Sequence, residues 1–184
     1  KIIREAAEME NIKPYIVASN SHAPLQSHQQ LLDFGFDSVL NFMPQLGTLP
    51  DVFTDRFLWK RWRRNFLRHG IADGKLKFYR YSDALKYMQS IEPENFKNTM
   101  PCVFVSWDNT PRRKEKGIIL YDANAGATFG NELQRIKAKM LKAESETDIL
   151  FINAWNEWGE GNHLEPDIKN KLTFLTILKE NFTS

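Results

Sequence analysis

Short apolar runs alternate with helical patterns along this chain. Four mostly apolar runs have the length of strands: residues 15–18, 36–42, 102–105 and 149–152. Helical spacing of apolar positions predicts helices over residues 1–11, 25–34, 55–68 and 82–91, and from about Thr128 and Ile168 onward. Continuous apolar runs are typical of parallel strands covered on both faces. The alternation therefore predicts an α/β fold built on a parallel sheet.

The helical patterns also predict which side chains are buried. Ile2 and Ile3 are expected on the inner face of the first helix, and Ser82 and Thr128 are suited to cap two later helices. The apolar positions expected to face the core in the last three helices are Leu85, Met88 and Ile91; Phe129, Leu133, Ile136 and Met140; and Leu172, Leu175, Leu178 and Phe182.

Polar side chains gather directly after the predicted strands, at Asn20 and His22; Asn41; Trp107, Asp108 and Asn109; and Asn156, Glu157 and Glu160. In a β/α barrel, the face at the carboxyl ends of the strands carries the active site, and a complete barrel takes eight strands and at least roughly 200 residues. The four strands found here, a first residue inside a helix and the missing initiator Met predict half of such a fold. We expect residues 1–184 to be the C-terminal half of one (β/α)8 TIM-barrel-like domain, as four βα units, with the N-terminal half upstream.

Composition narrows the functional classes. The 184 residues include 25 Lys and Arg against 23 Asp and Glu, and a net charge of +2 is too weak a field for a dedicated nucleic-acid binder. Cys102 is the only cysteine, which excludes an internal disulfide and a multi-cysteine metal site. No apolar stretch approaches the ~20 residues of a transmembrane helix, and the charged first residues do not form a signal peptide. We expect a cytoplasmic protein whose contact with the inner membrane face, if any, is peripheral.

The densest polar stretch, residues 155–167, contains a pair of carboxylates three residues apart, Glu157 and Glu160. Paired carboxylates perform glycosidic-bond chemistry, one as acid and the other as base or nucleophile, and this spacing allows the separations of both retaining and inverting enzymes. The alternatives are solvated loop acids above packed Trp155 and Trp158, or a metal site. The potential metal ligands are Glu160, His163, Glu165 and Asp167, but Gly159, Gly161 and Pro166 argue against the helix that their spacing would need.

A second cluster follows the third strand, in residues 106–113. Asp108 and Asn109 could bind sugar hydroxyls, Trp107 could lie against a ring, and Arg112 or Arg113 could hold an anionic group. The alternative is an Asx turn ahead of Pro111.

Basic and aromatic residues alternate over residues 55–68. They could contact the phosphates of a lipid-linked carrier or an anionic bilayer, but the pattern favours a solvated helix whose aromatic side chains pack inward.

The two clusters, Ser106–Arg113 and Phe151–Asp167, resemble the WbsX-type glycosyltransferase family of bacterial O-antigen and capsule biosynthesis, which carries a glycoside hydrolase family 99-like domain. Gly35–Val39 is a weaker match. The resemblance implies a (β/α)8 barrel and a catalytic Glu-x-x-Glu pair at Glu157 and Glu160. In family 99 endo-α-mannosidases the first Glu is the base for the sugar 2-hydroxyl and the second is the acid/base for the glycosidic oxygen.

The resemblance further implies that Trp155, Asn156 and Trp158 shape the sugar subsite. The other expected substrate contacts are Trp107, Asp108, Asn109, Arg112, His163 and Glu165, and we expect no cofactor or metal. One departure is Gly159, where the hydrolases usually carry a larger side chain. The expected function is a WbsX-like glycosyltransferase in bacterial cell-surface polysaccharide biosynthesis, acting on a glycan or glycolipid.

Two other functions stay open: a retaining, mannosidase-like endo-glycosidase, and a non-catalytic glycan-binding domain. A nucleotide sugar would be the donor of a transferase, although the chain shows neither a glycine-rich phosphate loop nor an Asp-x-Asp motif.

Overall fold

The computed structural model describes residues 2–21, 27–50, 76–93, 96–143 and 147–182. In chain order, the helices and strands are α1 (Ile2–Met9), β1 (Val17–Ser19), α2 (His28–Asp33), β2 (Ser38–Asn41), β3 (Lys77–Arg80), α3 (Tyr81–Ser90), β4 (Thr99–Phe104), β5 (Trp107–Asp108), α4 (Thr110–Arg113), β6 (Ile118–Tyr121), α5 (Ala125–Ala143), β7 (Phe151–Asn153), β8 (Asn156–Glu157), β9 (Asn162–His163) and α6 (Thr173–Phe182). The basic, aromatic helix predicted over residues 55–68, and His22, lie outside the described residues.

The main sheet contains β1, β2, β4 and β7, which are all parallel and are neighbours in that order. They coincide with the four predicted runs, so the predicted parallel α/β sheet is confirmed. The strands follow one another in space as they do in the chain, with helices in the connections. This is the connectivity of part of a β/α barrel.

A second sheet was not predicted. Strand β3 pairs in parallel with β6, and β6 pairs antiparallel with the short β5 that follows β4. Phe78 and Tyr79 in β3 and Ile119 and Leu120 in β6 are buried. Residues 118–121 are as continuously apolar as the four predicted strands, so the signal for β6 is present in the sequence.

The core lies on both sides of β4, whose successive side chains point to opposite faces. Cys102 and Phe104 belong to one apolar cluster, which includes Tyr81, Leu85 and Met88 of α3. Val103 and Val105 belong to the other, which includes Phe129, Leu133 and Ile136 of α5. Burial on both faces explains why this strand is the most continuously apolar of the main sheet.

The sequence placed two helix starts incorrectly. Helix α3 begins at Tyr81, so Ser82 is not its cap. Helix α5 begins at Ala125, where the Asn124 carboxamide oxygen accepts a hydrogen bond from the Ala127 N–H at 3.2 Å. Thr128 therefore lies inside the helix, and its hydroxyl donates to the Asp122 carboxylate.

Some side chains that the helical pattern predicts to be buried are exposed. Two of them lie just outside a helix, and two lie on a helix face that no described residue covers. Ile91 lies just beyond α3 and Leu172 just before α6, and both are exposed. Ile2 and Ile3 are 81% and 67% exposed, so the predicted inner face of α1 is uncovered by the described residues.

Helix α1 is held to the sheet by Arg4. Its guanidinium donates to the Gly35 carbonyl at 2.7 Å and pairs with the Asp37 carboxylate at 2.7 Å. The Ile16 backbone N–H also donates to Asp37, at 2.6 Å. These hydrogen bonds from Ile16 and then Arg4 lower the pKa of Asp37. The Gly35–Val39 segment is therefore a structural anchor between α1, β1 and β2.

A buried ionic cluster joins the end of α3 to α5. The Arg135 guanidinium contacts Glu92 at 2.7 Å and Glu132 at 2.6 Å, and these two carboxylates are only 2% and 3% exposed. Lys139 adds a second cation 3.1 Å from Glu92. Buried carboxylates are tolerated only when they are paired in this way.

Among the described residues, no helix combines the length and the apolar character required to cross a bilayer.

Removing the central cation of this cluster should destabilise the fold. We expect Arg135→Met to lower the free energy of unfolding by about 3 kcal/mol, because among the described residues it leaves buried Glu92 with Lys139 alone and buried Glu132 without a cation. Lys142→Met removes an exposed cation from the same helix and should change the free energy by less than about 0.5 kcal/mol. Urea unfolding measures both, and equal effects of the two substitutions would contradict the interpretation.

Candidate active site

A cleft of about 500 Å³ lies at the carboxyl edge of the main sheet. Its lining includes residues that follow each of the four parallel strands: Ser19 at the end of β1 and Ser21 beyond it; Phe42 and Pro44 after β2; Trp107 and Asn109 after β4; and Glu160 after β7. This is the edge at which the sequence places the polar side chains, and parallel strands deliver their carboxyl ends there together.

The carboxylate pair lies in a short hairpin after β7. Strand β8 pairs antiparallel with β9, and the tight turn between them is a 3-10 helix over Trp158–Glu160. Gly161 closes this turn with a φ of 57°, a left-handed conformation that favours glycine. A Cβ atom on Gly161 would also lie 3.3 Å from the Cβ atom of Asp108. A glycine is therefore required both by the turn and by the close approach of the two segments.

Hydrogen bonds fasten this hairpin to the end of β4. The Ser106 hydroxyl donates to the Gly161 carbonyl, and the Val105 N–H donates to the Asn162 carboxamide oxygen at 3.3 Å. Asn162 is completely buried. The two sequence clusters, residues 106–113 and 155–167, are thus brought into direct contact.

Arg112 spans the two carboxylates. Its Nη1 atom is 3.0 Å from Glu160 Oε1 and 3.7 Å from Glu157 Oε1. Because both oxygens contact one nitrogen, they lie within about 6.7 Å of each other, the sum of those two distances. Glu157 and Glu160 therefore form a true pair, and Arg112 is part of the same constellation.

The two carboxylates differ in their surroundings. The side chain of Glu160 is 22% exposed, against 42% for Glu157. Burial raises the pKa of Glu160, Arg112 opposes that rise, and the negative charge of Glu157 adds to it, for a net increase. Glu160 accordingly retains its proton to higher pH than an ordinary glutamate does.

Trp158, His163 and Glu165 form a separate packed unit beside the pair. The Trp158 and His163 rings stack with centroids 3.7 Å apart, and the Trp158 Nε1–H donates to Glu165 at 2.7 Å. His163 Nε2 lies 2.8 Å from the Asp167 carboxylate. Burial alone would raise the pKa of Asp167, but hydrogen bonds from Asn170 and His163 lower it to about 2.

The polar side-chain atoms that could ligate a metal ion here already form hydrogen bonds. Glu165 accepts a hydrogen bond from Trp158, and Asp167 is hydrogen-bonded to His163. In the described ranges no three His, Cys, Asp or Glu side chains converge as a metal-binding group.

Asp108 and Asn109 organise the loop after β5. Asp108 Oδ1 accepts hydrogen bonds from the Thr110 N–H at 3.0 Å and the Thr110 hydroxyl at 2.6 Å, which is an Asx turn. Asn109 Oδ1 accepts from the Ile118 N–H at 2.7 Å. The turn that the sequence left as an alternative is therefore present, and Asn109 also lines the cleft.

The predicted site residues thus fall into two groups. Trp107, Asn109 and Glu160 line the cleft, whereas the hairpin carries Glu157 and the exposed Trp155, Asn156 and Trp158 at its surface. Sequence reasoning missed Lys77 and Lys116, which also line the cleft with Arg113. The basic run over residues 112–116 was the available signal for Lys116.

Comparison with known protein families gives a match over nearly the whole chain. Residues 1–178 match the family model described as Glycosyltransferase WbsX. The chain is 28% identical to a protein named "Uncharacterized protein WxcX" from Xanthomonas campestris pv. campestris (strain B100), over 82% of this chain and 20% of that protein. The protein of the same name from strain ATCC 33913 gives the same identity and coverage.

The chain therefore spans about a fifth of the length of the curated relatives it matches. No solved structure matches it. Because the family model covers nearly all of the described fold, including both clusters that form the site, this chain belongs to the WbsX glycosyltransferase family.

Proposed function

We propose that this protein makes glycosidic bonds in bacterial cell-surface polysaccharide, as a WbsX-like glycosyltransferase that uses Glu157 and Glu160. The observation that carries the proposal is the convergence of these two carboxylates on Arg112 beside a cleft at the carboxyl edge of the sheet. A carboxylate pair of this kind is the usual machinery of glycosidic-bond chemistry.

The two carboxylates take different roles in this proposal. Glu160 is the acid/base for the glycosidic oxygen, because it lines the cleft, is the less exposed of the two and has a raised pKa. Glu157 is the base for the sugar 2-hydroxyl, because it is the more exposed member of the pair and its carboxylate lies 3.7 Å from the Arg112 guanidinium.

The separation of the pair supports the retaining alternative within the same chemistry. Inverting enzymes hold their carboxyl groups about 6.5–9.5 Å apart and retaining enzymes about 5–5.5 Å apart. An upper limit of about 6.7 Å between the two Oε1 atoms leaves only the lowest part of the inverting range.

The other predicted contacts supply the sugar subsite. Trp107 and Asn109 line the cleft and are suited to a sugar ring and its hydroxyls. The hydrogen bonds that Asp108 accepts from Thr110 both go to Oδ1, so Oδ2 is suited to a hydroxyl, and the side chains of Asn156 in the hairpin and of the preceding Trp155 are exposed. The Trp158–His163–Glu165 unit supports the hairpin and leaves Trp158 half-exposed.

A non-catalytic glycan-binding domain is the second candidate. Trp155 and Trp158 are 52% and 49% exposed, and exposed aromatic planes are common in sugar-binding surfaces. This candidate needs no turnover, so an activity measurement separates it from the first.

We also propose that four further βα units complete a (β/α)8 barrel around this cleft, in the cytoplasm, where a nucleotide sugar and a glycolipid acceptor would meet. The exposed apolar side chains near both edges of the main sheet support this proposal. They are Ile2, Ile3, Met9 and Tyr15 near β1, and Ile149, Phe151 and Trp155 near β7.

The barrel proposal predicts self-association of the 184-residue chain on its own, since no described residue pairs with the outer edges of β1 and β7 or covers these apolar side chains. Sedimentation velocity should show a concentration-dependent increase in size. Ile3→Lys should weaken the association, while Glu5→Gln on the same helix should not. A monodisperse monomer at all concentrations would contradict the proposal.

Loss of the acid/base should abolish turnover. We expect Glu160→Gln to lower the rate at least about 100-fold, the usual contribution of a general acid or base, while Glu180→Gln, an exposed carboxylate on α6, leaves it unchanged. The assay follows sugar transfer from nucleotide sugars and sugar release from aryl glycosides, including α-mannosides.

Turnover that requires a nucleotide sugar supports the transferase, and release of free sugar without one supports the glycosidase. Full activity of Glu160→Gln would refute its assigned role. Glycan binding without turnover under any condition would favour the glycan-binding domain.

Arg112 should set the pH range in which Glu160 holds its proton. In Arg112→Gln the cation that lowers the pKa of Glu160 is lost, so this pKa should rise further. The protonated acid then persists to higher pH, and the basic limb of the kcat/KM profile should move to higher pH. Arg112→Lys keeps the charge and should move it less. NMR titration of the glutamate carboxyl carbons measures the same shift without turnover; a downward shift would contradict the assignment.

A further inference from the structure

Two cations on the wall of the cleft form no ion pair with any residue that the structure describes. Arg113 and Lys116 line the cleft together with Glu160, and both side chains are exposed. No carboxylate among the described residues lies within ion-pair distance of either. Cations placed inside a polar cleft attract a complementary anion more strongly than the same cations on an open surface.

The loop that carries these cations is fixed by hydrogen bonds and close packing. We call residues 110–116 the basic loop. Asn109 and Ile118 close its base by two hydrogen bonds, from the Ile118 N–H to the Asn109 side chain at 2.7 Å and from the Asn109 N–H to the Ile118 carbonyl at 3.3 Å. A Cβ atom on Gly117 would lie 2.7 Å from the Thr110 methyl carbon. The loop is therefore closely packed where it rejoins β6.

The neighbouring Arg112 leaves these cations available. Arg112 is committed to Glu157 and Glu160, whose charges it offsets. Arg113 interacts with Glu160 only through its charge, since no hydrogen bond joins them. An anionic group in the cleft would thus meet Arg113 and Lys116 as donors, while Arg112 offsets part of the negative charge of the nearby Glu160.

We propose that the basic loop binds an anionic group of the substrate, a phosphate or a carboxylate, through Arg113 and Lys116 in the cleft beside Glu160. The biological identity of this substrate rests on the proposed glycan-processing function, whereas the anion site itself does not. A phosphate would come from a nucleotide sugar or a lipid diphosphate, and a carboxylate would come from an acidic sugar.

Isothermal titration calorimetry with two probes tests the site and separates its sources. Pyrophosphate represents the diphosphate group and glucuronate the acidic sugar, with glucose as the neutral control. We expect saturable binding of at least one anionic probe, weakened by added salt, and none of glucose. Preference for pyrophosphate assigns the site to a diphosphate, and preference for glucuronate assigns it to an acidic sugar.

The decisive variants remove charge inside and outside the cleft. The double substitution Arg113→Gln with Lys116→Gln should weaken anion binding at least about tenfold, the effect of losing one charge-assisted hydrogen bond. Lys114→Gln removes a cation from the same loop that does not line the cleft, and it should change binding less than about twofold. Circular dichroism verifies that each variant is folded.

Three outcomes would overturn the proposal: neither anion binds, the double variant binds normally, or Lys114→Gln weakens binding as much as the double variant. The same variants distinguish a failure of the proposed function from a failure of the anion site. Glu160→Gln would then retain full turnover while anion binding still depends on Arg113 and Lys116. Since Glu160→Gln removes a nearby negative charge, it should leave anion binding equal or tighter.

Discussion

The attachment of the β8–β9 hairpin to the end of β4 is the constraint on which the site depends. The Ser106 hydroxyl holds the Gly161 carbonyl, and the buried Asn162 side chain accepts the Val105 N–H. Gly161 favours this contact because its φ of 57° suits glycine and because a Cβ atom there would lie 3.3 Å from Asp108, a tight approach. With the hairpin fixed there, its two carboxylates meet an arginine that the loop after β4 supplies. Neither segment alone would hold the two carboxylates and the arginine at these distances from one another.

The sequence predicted the parts of this arrangement that follow from periodicity and topology. Apolar runs predicted β1, β2, β4 and β7, and parallel strands bring their carboxyl ends to one edge whatever the details of the loops. The proximity of residues 106–113 to residues 155–167 followed from that rule alone. Burial was predicted well where a helix packs along its length, as for Leu133 and Ile136 in α5.

What the sequence could not provide was the direction of side chains in loops and the neighbours of surface helices. The position of Lys116 on the cleft wall depends on how Asn109 and Ile118 close the basic loop, a contact between residues nine apart with no periodic signal. The spacing of Glu157 and Glu160 did not indicate which of the two is more buried. The position of the hairpin in the fold shows that it is Glu160. For α1, amphipathicity gave the apolar face correctly, but a face is buried only if something packs on it.

Gly159 links the chemistry of the pair to the identity of a single residue. A Cβ atom there would lie 3.2 Å from Arg112 Cδ and 3.2 Å from Glu157 Oε1, closer than most side-chain neighbours tolerate. Glycine at this position thus makes room for the stem of Arg112 to pass over the turn and reach both carboxylates. A larger side chain at this position would have to displace Arg112 or the Glu157 carboxylate. Arg112 lowers the pKa of Glu160, and Gly159 provides the space that Arg112 needs to reach it. Gly159 and Arg112 therefore act as one feature of the site.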